Sequence, residues 1–417
     1  MKKKAMLMTV GVGQGTENGI VVSIKDSMPE YITFILTEKS RETYKKVMDK
    51  LGEEYFDEKK IILIQGGEEE NFQSIYLKII DCIDEYIKKG IERENIFIDI
   101  TFGTKAMTAG IITAGIYKKI SHIKYISGER DIRAGRVKSG TEKVISTTPT
   151  EIFNNYHYDD FKKLFNKFQF DASQKAIDNI SDNFFYDNYL GDFREAYDFL
   201  ISSYSLWDKF NYEKALGELN KAKEKIKLIK DLDYEKYRNN FSFLEKLCDE
   251  KKKTKYPREL VVDIFLNAKR RDNEGKFDDA LIRLYRVMEL ISQNVLYYKY
   301  KIDPADIKEN QLKILPSEIT TKIGYKQGKK TTSGMTDNYE ILKHLNNELG
   351  INYCQDSSIR DIMGIRNYSI LIHGENPINK NNLSRLMGIV EKFLCTFFSL
   401  KENLDNQLSN AKMANFN

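Results

Sequence analysis

Short runs of apolar and β-branched residues punctuate the first third of the chain. They fall at residues 5–10, 31–37 (Tyr-Ile-Thr-Phe-Ile-Leu-Thr), 61–65, 96–100 and 123–127. Between them lie segments with apolar residues at helical spacing, such as 72–87 and 106–117. Short strands alternating with helices of this length predict βαβ units, and so an α/β Rossmann-like domain with a parallel, doubly wound sheet. After Ser127 the pattern changes. Gly135-Arg136-Val137-Lys138-Ser139-Gly140 reads as a turn, and 143–148 as an edge strand or hairpin.

Beyond Pro149 strand-like runs cease. Residues 150–257 carry Lys, Glu, Asp, Phe, Tyr and Leu at helical spacing and predict a helical connecting domain. Within it, residues 210–216 resemble one helical hairpin of a tetratricopeptide array, but a single copy makes no repeat. The lysine-rich run 251–255 before Pro257 reads as an exposed connection. Residues 258–417 predict a helical bundle. A strong apolar stripe runs through 277–291, a polar, glycine-containing loop spans 324–338, and helices follow around 339–349, 357–372 and 382–400. The predicted division is therefore 1–149, 150–257 and 258–417.

Composition narrows the function classes. A chain of 417 residues exceeds one ordinary core, and 31% charged with 41% apolar residues is a globular balance. No stretch approaches the roughly 18 apolar residues of a membrane span. The Met-Lys-Lys-Lys start reads as the approach to a first strand, not as a signal peptide. Cys82, Cys248, Cys354 and Cys395 are scattered, with no CxxC pair, which fits free thiols in a reducing cytoplasm. The four histidines, His122, His157, His344 and His373, form no metal-ligand pattern, so no metal site is expected. A net charge of +4 permits nucleic-acid contact only locally.

Two loops carry candidate ligand chemistry. Gly11, Gly13, Gln14, Gly15 and Thr16 follow the first strand, where glycines let backbone amides approach an anion and the next helix adds its dipole. The spacing is GxGxG, so neither a dinucleotide fingerprint nor a Walker A loop is present, and a tight turn would explain it equally well. The second loop, Asp99-Ile100-Thr101-Phe102-Gly103-Thr104-Lys105, ends the fourth strand. Thr101 and Thr104 offer hydroxyls, Gly103 a close backbone approach and Lys105 a cation. A lysine in the first helical turn opposes the macrodipole, a conflict that a bound anion would resolve. The plain alternative is a capping threonine beside an exposed lysine. Arg130, after the fifth strand, is placed to reach the same rim. In doubly wound sheets ligands bind at such carboxyl ends.

Near the C-terminus stands Arg366-Asn367-Tyr368-Ser369-Ile370-Leu371-Ile372-His373-Gly374. Arg366 and His373 are two helical turns apart and share a face. A permanent cation beside a titratable proton carrier can cleave RNA without metal: the arginine binds the phosphate and the histidine moves a proton. The bare spacing also suits a solvated, ion-paired surface.

Residues 99–107 resemble the Asp-x-Thr-x-Gly-Thr-Lys-x-Met signature of CARF domains, the sensors of CRISPR type III defence. Residues 279–291, with Arg366, Asn367 and His373, are similar to the HEPN ribonuclease domain and its Arg-x4–6-His motif. The resemblance covers roughly 1–150 and 260–400. It implies a homodimer whose paired CARF domains bind a cyclic oligoadenylate; ring size depends on pocket width, which residue types do not give, and tetra-adenylate is expected over hexa-adenylate. The phosphates would meet residues 11–16 and 101–105. It further implies paired HEPN domains that cut single-stranded RNA without metal, with Asn367 orienting Arg366 or the phosphate. Arg283, Arg286 and Glu289 read as a structural ion-pair network. A CARF-type regulator whose helical domain binds a partner or nucleic acid without cleavage is the alternative. A restriction-type metal nuclease would have to use Glu58 and Lys60. Slow cleavage of the messenger by Thr16, Thr104 and Lys105 stays open.

Overall fold

The computed structural model describes residues 2–131, 136–138, 140–181, 184, 194–227, 229, 231–324, 330–357, 359, 364, 375, 377–399 and 401–417. The chain forms two compact units, Met1–Tyr156 and His157–Asn417.

The first unit alternates strands and helices: β1 (Ala5–Thr9), α1 (Thr16–Ser27), β2 (Tyr31–Thr37), α2 (Arg41–Leu51), β3 (Glu58–Ile64), α3 (Phe72–Lys88), β4 (Ile96–Asp99), α4 (Lys105–Tyr117) and β5 (His122–Ser127). A short pair, β6 (Arg130–Asp131) and β7 (Arg136–Val137), precedes β8 (Lys143–Thr147). The main sheet runs β3-β2-β1-β4-β5-β8. Its first five strands are parallel and β8 closes one edge antiparallel to β5. This is the doubly wound architecture that the hydropathy pattern predicts.

Apolar burial explains the layering. Every residue of β1 is buried, because helices cover both faces of the central strands. On one face Ile20 and Ile24 of α1 and Val47 of α2 pack on Met6, Met8 and Phe34. On the other, Ile75, Ile79 and Ile83 of α3 join Ile111 and Ala114 of α4 over Leu7 and Ile98. Each such side chain contributes about 1.5–3 kcal/mol on burial. α4 lies close to its neighbours because Gly110 and Gly115 face inward. A Cβ on them would come within 2.8 Å of Ile75 and 2.4 Å of Ile98.

β3 begins three residues before its apolar run, at Glu58, which pairs with Tyr31. It is an edge strand, and charges there discourage further pairing. Glu58 binds Lys89, and Lys60 binds Glu85 at 2.7 Å. The two residues that a metal-nuclease reading requires are thus engaged in surface ion pairs.

The second unit is helical among its described residues. Arg194–Asp208 and Tyr212–Ile226 form a hairpin, followed by Tyr234–Lys253, Arg258–Asn273, Phe277–Tyr300, Met335–His344, Glu348–Gln355, Lys380–Phe398 and Lys401–Ala411. Trp207, Tyr204, Phe265 and Tyr339 are fully buried in its core. The region 324–338, expected to be loop, already turns helical at Met335. The Asp337 carboxylate accepts the Gly334 N–H at 3.2 Å and nucleates that helix. The expected single helix 339–349 breaks at Asn346, whose φ is 52°, and Asn347 then caps the next helix by accepting from Leu349 N at 3.1 Å.

Candidate nucleotide-binding rim and the C-terminal motif

β1 and β4 are neighbours whose helices leave toward opposite faces, so their C-terminal ends form the switch point of the sheet. Met8 pairs level with Asp99, which brings the two glycine loops side by side. Contact between them is intimate. A Cβ on Gly11 would lie 3.0 Å from Gly103 N and 3.3 Å from Phe102 Cβ. Gly103 has φ 101°, and its own Cβ would stand 3.0 Å from that of Thr9. The Thr9 hydroxyl donates to the Phe102 carbonyl. Glycine at both positions is what lets the loops touch.

Asp99 anchors the second loop from below. Its Oδ1 accepts the Thr101 N–H at 2.8 Å, and its Oδ2 accepts the Ser23 hydroxyl of α1. Burial pushes its pKa up, although hydrogen bonds from Ser23 and Thr101 and the charge of Lys124 oppose the shift. Both threonine hydroxyls are already engaged. Thr101 Oγ1 accepts the Ile126 N–H at 2.9 Å. Thr104 Oγ1 caps α4 by accepting from Met107 N at 3.2 Å and donates to the Glu69 carbonyl at 2.6 Å. Their first role is to fix the loop.

Lys105 differs. It is exposed in the first turn of α4 and makes no hydrogen bond or ion pair with the described residues. Gly15, with φ 87°, opens α1, and its N–H donates to Glu17 Oε2 at 3.1 Å. The dipole of α1 is thus partly answered by a carboxylate, whereas that of α4 carries a cation. Gln14 is exposed and Thr16 half-buried on the same rim. Arg130 opens β6 opposite Val137, and its side chain lies outside the described ones.

Two hollows flank Phe102. One, of about 170 Å³, is lined by Gln14, Gly15, Thr16, Gly19, Thr101, Phe102, Tyr125, Ile126, Val137 and Glu142. The other, of about 700 Å³, lies toward β2 and β3 and includes Gly11, Glu38, Gln65, Glu69, Glu70 and Gly103. Phe102 and Tyr125 line the smaller hollow, and the sequence carries no signal for that. Phe102 occupies a position where the signature tolerates any residue, and Tyr125 reads as an ordinary strand aromatic.

In the second unit, Arg366, Asn367 and His373 lie outside the described residues. On the described helix Phe277–Tyr300 the three charged residues expected to form one ion-pair network divide into two separate sets. Arg286 binds Glu289 at 2.5 Å and Gln293 at 3.2 Å, and Arg283 donates to the Asp279 carbonyl at 2.8 Å. Just before the motif in sequence, a hollow of about 530 Å³ is lined by Asn352, Gln355, Asp356, Ser357, Lys392 and Thr396, among others. Among the described residues no group of three or more His, Cys, Asp or Glu could hold a metal ion. None of the described helices is long and apolar enough to cross a membrane.

Residues 153–255 match the model of the Csm6 6H domain, and residues 249–396 that of the Csm6 HEPN domain. Among solved structures, Enterococcus italicus Csm6 bound to cyclic hexa-2'-fluoro-hexa-dAMP is similar with TM-score 0.47 and 14% identity, covering 97% of each chain. No curated protein sequence matches. Two consecutive Csm6 domain models together span more than half of the chain, which therefore belongs to the Csm6 family of CRISPR type III-associated CARF–HEPN ribonucleases.

Proposed function

We propose that this protein is a metal-independent, single-stranded RNA endoribonuclease switched on by a cyclic oligoadenylate at the rim of its N-terminal sheet. The observation that carries the sensing half is Lys105. An exposed cation with no partner among the described residues sits at a helix N-terminus, beside two glycine loops in van der Waals contact. A phosphate there would meet the lysine and the end of the α4 dipole together. Gly11, Gly13, Gln14, Gly15, Thr16, Gly103 and Thr104 would form the backbone-rich surround, with Arg130 as a further cation.

In the catalytic half, Arg366 would hold the scissile phosphate and Asn367 would orient it. His373 would move the proton as the ribose 2′-oxygen attacks phosphorus and the 5′-oxygen leaves, giving a 2′,3′-cyclic phosphate. A homodimer would pair two such sets. The outer face of α4 supports self-association. Its sequence is apolar nearly all round, and Tyr117, 67% exposed, meets Tyr76 of α3 edge-on at 6.1 Å, while Phe72 and Leu77 of α3 are 48% and 60% exposed.

The decisive assay incubates the full-length protein with labelled RNA in EDTA and adds cyclic tetra- or hexa-adenylate separately. Cleavage that needs one of the rings and is abolished by His373→Ala is the expected result. RNA bound without product would favour the ligand-sensing regulator, and cleavage by His373→Ala at the wild-type rate would refute the catalytic assignment.

A further inference from the structure

The hollow beside Phe102 differs chemically from the rim around it. At about 170 Å³ it falls below the roughly 300 Å³ where pockets for whole drug-sized ligands begin, so it suits a single ring system. Phe102, Tyr125 and Val137 line it, with Gln14, Thr16, Thr101 and Glu142 as its polar residues, Glu142 also accepting from Gly140 N at 2.6 Å. Flat apolar faces with hydrogen-bonding groups at the edge are what a nucleobase requires.

The place of Phe102 is built into the helix behind it. Gly19 lies in the second turn of α1, where glycine is the poorest residue short of proline. A Cβ there would stand 2.8 Å from Phe102 Cζ, so the glycine makes room for the ring. Tyr125 approaches from β5 and is 37% exposed. Gln14, in the first glycine loop, touches this hollow as well as the rim.

We propose that Phe102 and Tyr125 form a stacking subsite for one adenine base of the activator, while the adjoining phosphate lies toward Lys105. The proposal rests on the cyclic oligoadenylate reading given above and adds the residues that take the base. One protomer thereby grips a base and a phosphate of the same nucleotide unit through different residues.

The test uses full-length protein and cyclic oligoadenylates of both sizes carrying one 2-aminopurine, whose fluorescence is quenched by stacking. Wild-type protein should bind and quench. Tyr125→Ala should bind about ten- to a hundred-fold more weakly and lose quenching, as stacking energies imply. Tyr125→Phe should restore both, which a loss of fold could not mimic. Phe102→Leu should lose quenching, with thermal unfolding measured in parallel. Wild-type binding with unchanged affinity and quenching in Tyr125→Ala overturns the subsite and leaves the sensing reading intact. Failure of wild-type protein to bind either ring removes both.

Discussion

Asn166 brackets Phe416. Its Nδ2 donates to the Phe416 carbonyl at 2.8 Å, and its Oδ1 accepts the Phe416 N–H at 2.9 Å. One side-chain amide thus stands in for a β-strand partner. The Phe416 ring, 2% exposed, meets Phe161 edge-on at 4.7 Å and Phe165 at 5.1 Å. Asn240 holds the same segment by accepting from Ala414 N at 2.8 Å and donating to the carbonyls of Asn410 and Lys412. The segment after the last helix is a folded part of the second unit.

This latch predicts a ranking. Phe416→Ala should destabilise the second unit by about 3–5 kcal/mol through the cavity it leaves. Asn166→Ala should cost about 0.5–1.5 kcal/mol by removing two part-buried hydrogen bonds. Urea unfolding followed through Trp207 measures both, since that ring lies in the same core. Equal stability of Asn166→Ala and wild type would show that the bracket contributes nothing.

Gly103 should be intolerant for two separable reasons. A side chain at φ 101° is strained by about 1–3 kcal/mol, and its Cβ would meet Thr9. Gly103→Ala should therefore lower stability and, by parting the loops, weaken activator binding more than tenfold. Gly90→Ala is the control, because Gly90 has φ 82° but no atom within 4 Å of its added Cβ. It should share the strain and leave binding intact. If both variants bind alike, the contact between the loops is not what shapes the site.

Lys105→Ala should separate stability from sensing in opposite directions. Removing a cation from the first turn of α4 relieves an unfavourable dipole interaction, typically 0.3–1 kcal/mol, so thermal stability should hold or rise. The activator concentration for half-maximal RNA cleavage should rise, and its salt dependence should flatten as one phosphate contact is lost. Titration at two salt concentrations checks this. An unchanged activation constant would remove Lys105 from the binding surface.

The parallel sheet was legible because its central strands, β2, β1 and β4, are buried on both faces and so read as unbroken apolar runs. The start of β3 was not, since Glu58, Lys59 and Lys60 belong to an edge whose pairing leaves no hydropathy signal. The helix from Met335 was hidden for a similar reason: its start is set by a side-chain cap on Gly334. At the rim, residue types and loop positions pointed to the C-terminal ends of β1 and β4. They could not tell that the hydroxyls of Thr101 and Thr104 serve the loop itself, because those partners, Ile126 and Glu69, are distant in sequence. The Phe102 and Tyr125 walls depend on tertiary proximity in the same way.

A last prediction concerns pH and the second unit's core. Asp263 is fully buried and accepts from Trp207 Nε1 at 2.8 Å and Tyr212 OH at 2.7 Å. Burial raises its pKa, against the opposing effects of the Arg270 charge and the two hydrogen bonds. A carboxyl whose folded value is raised holds more protons in the native than in the unfolded state. Its contribution is complete below its ordinary pKa of 3.8 and is lost as pH rises through the folded value. Asp263→Asn cannot titrate, and in acid its amide matches the protonated carboxyl, with one carbonyl acceptor and one donor side. The two proteins should therefore differ by less than about 1.5 kcal/mol in acid. As pH rises toward neutrality the variant should gain on wild type, because only the wild type then bears the cost of a buried charge. Urea unfolding of both proteins across this range gives the sign directly. A variant that fails to gain on wild type would mean that Asp263 is already ionised in the folded protein throughout, with Arg270 compensating for its burial.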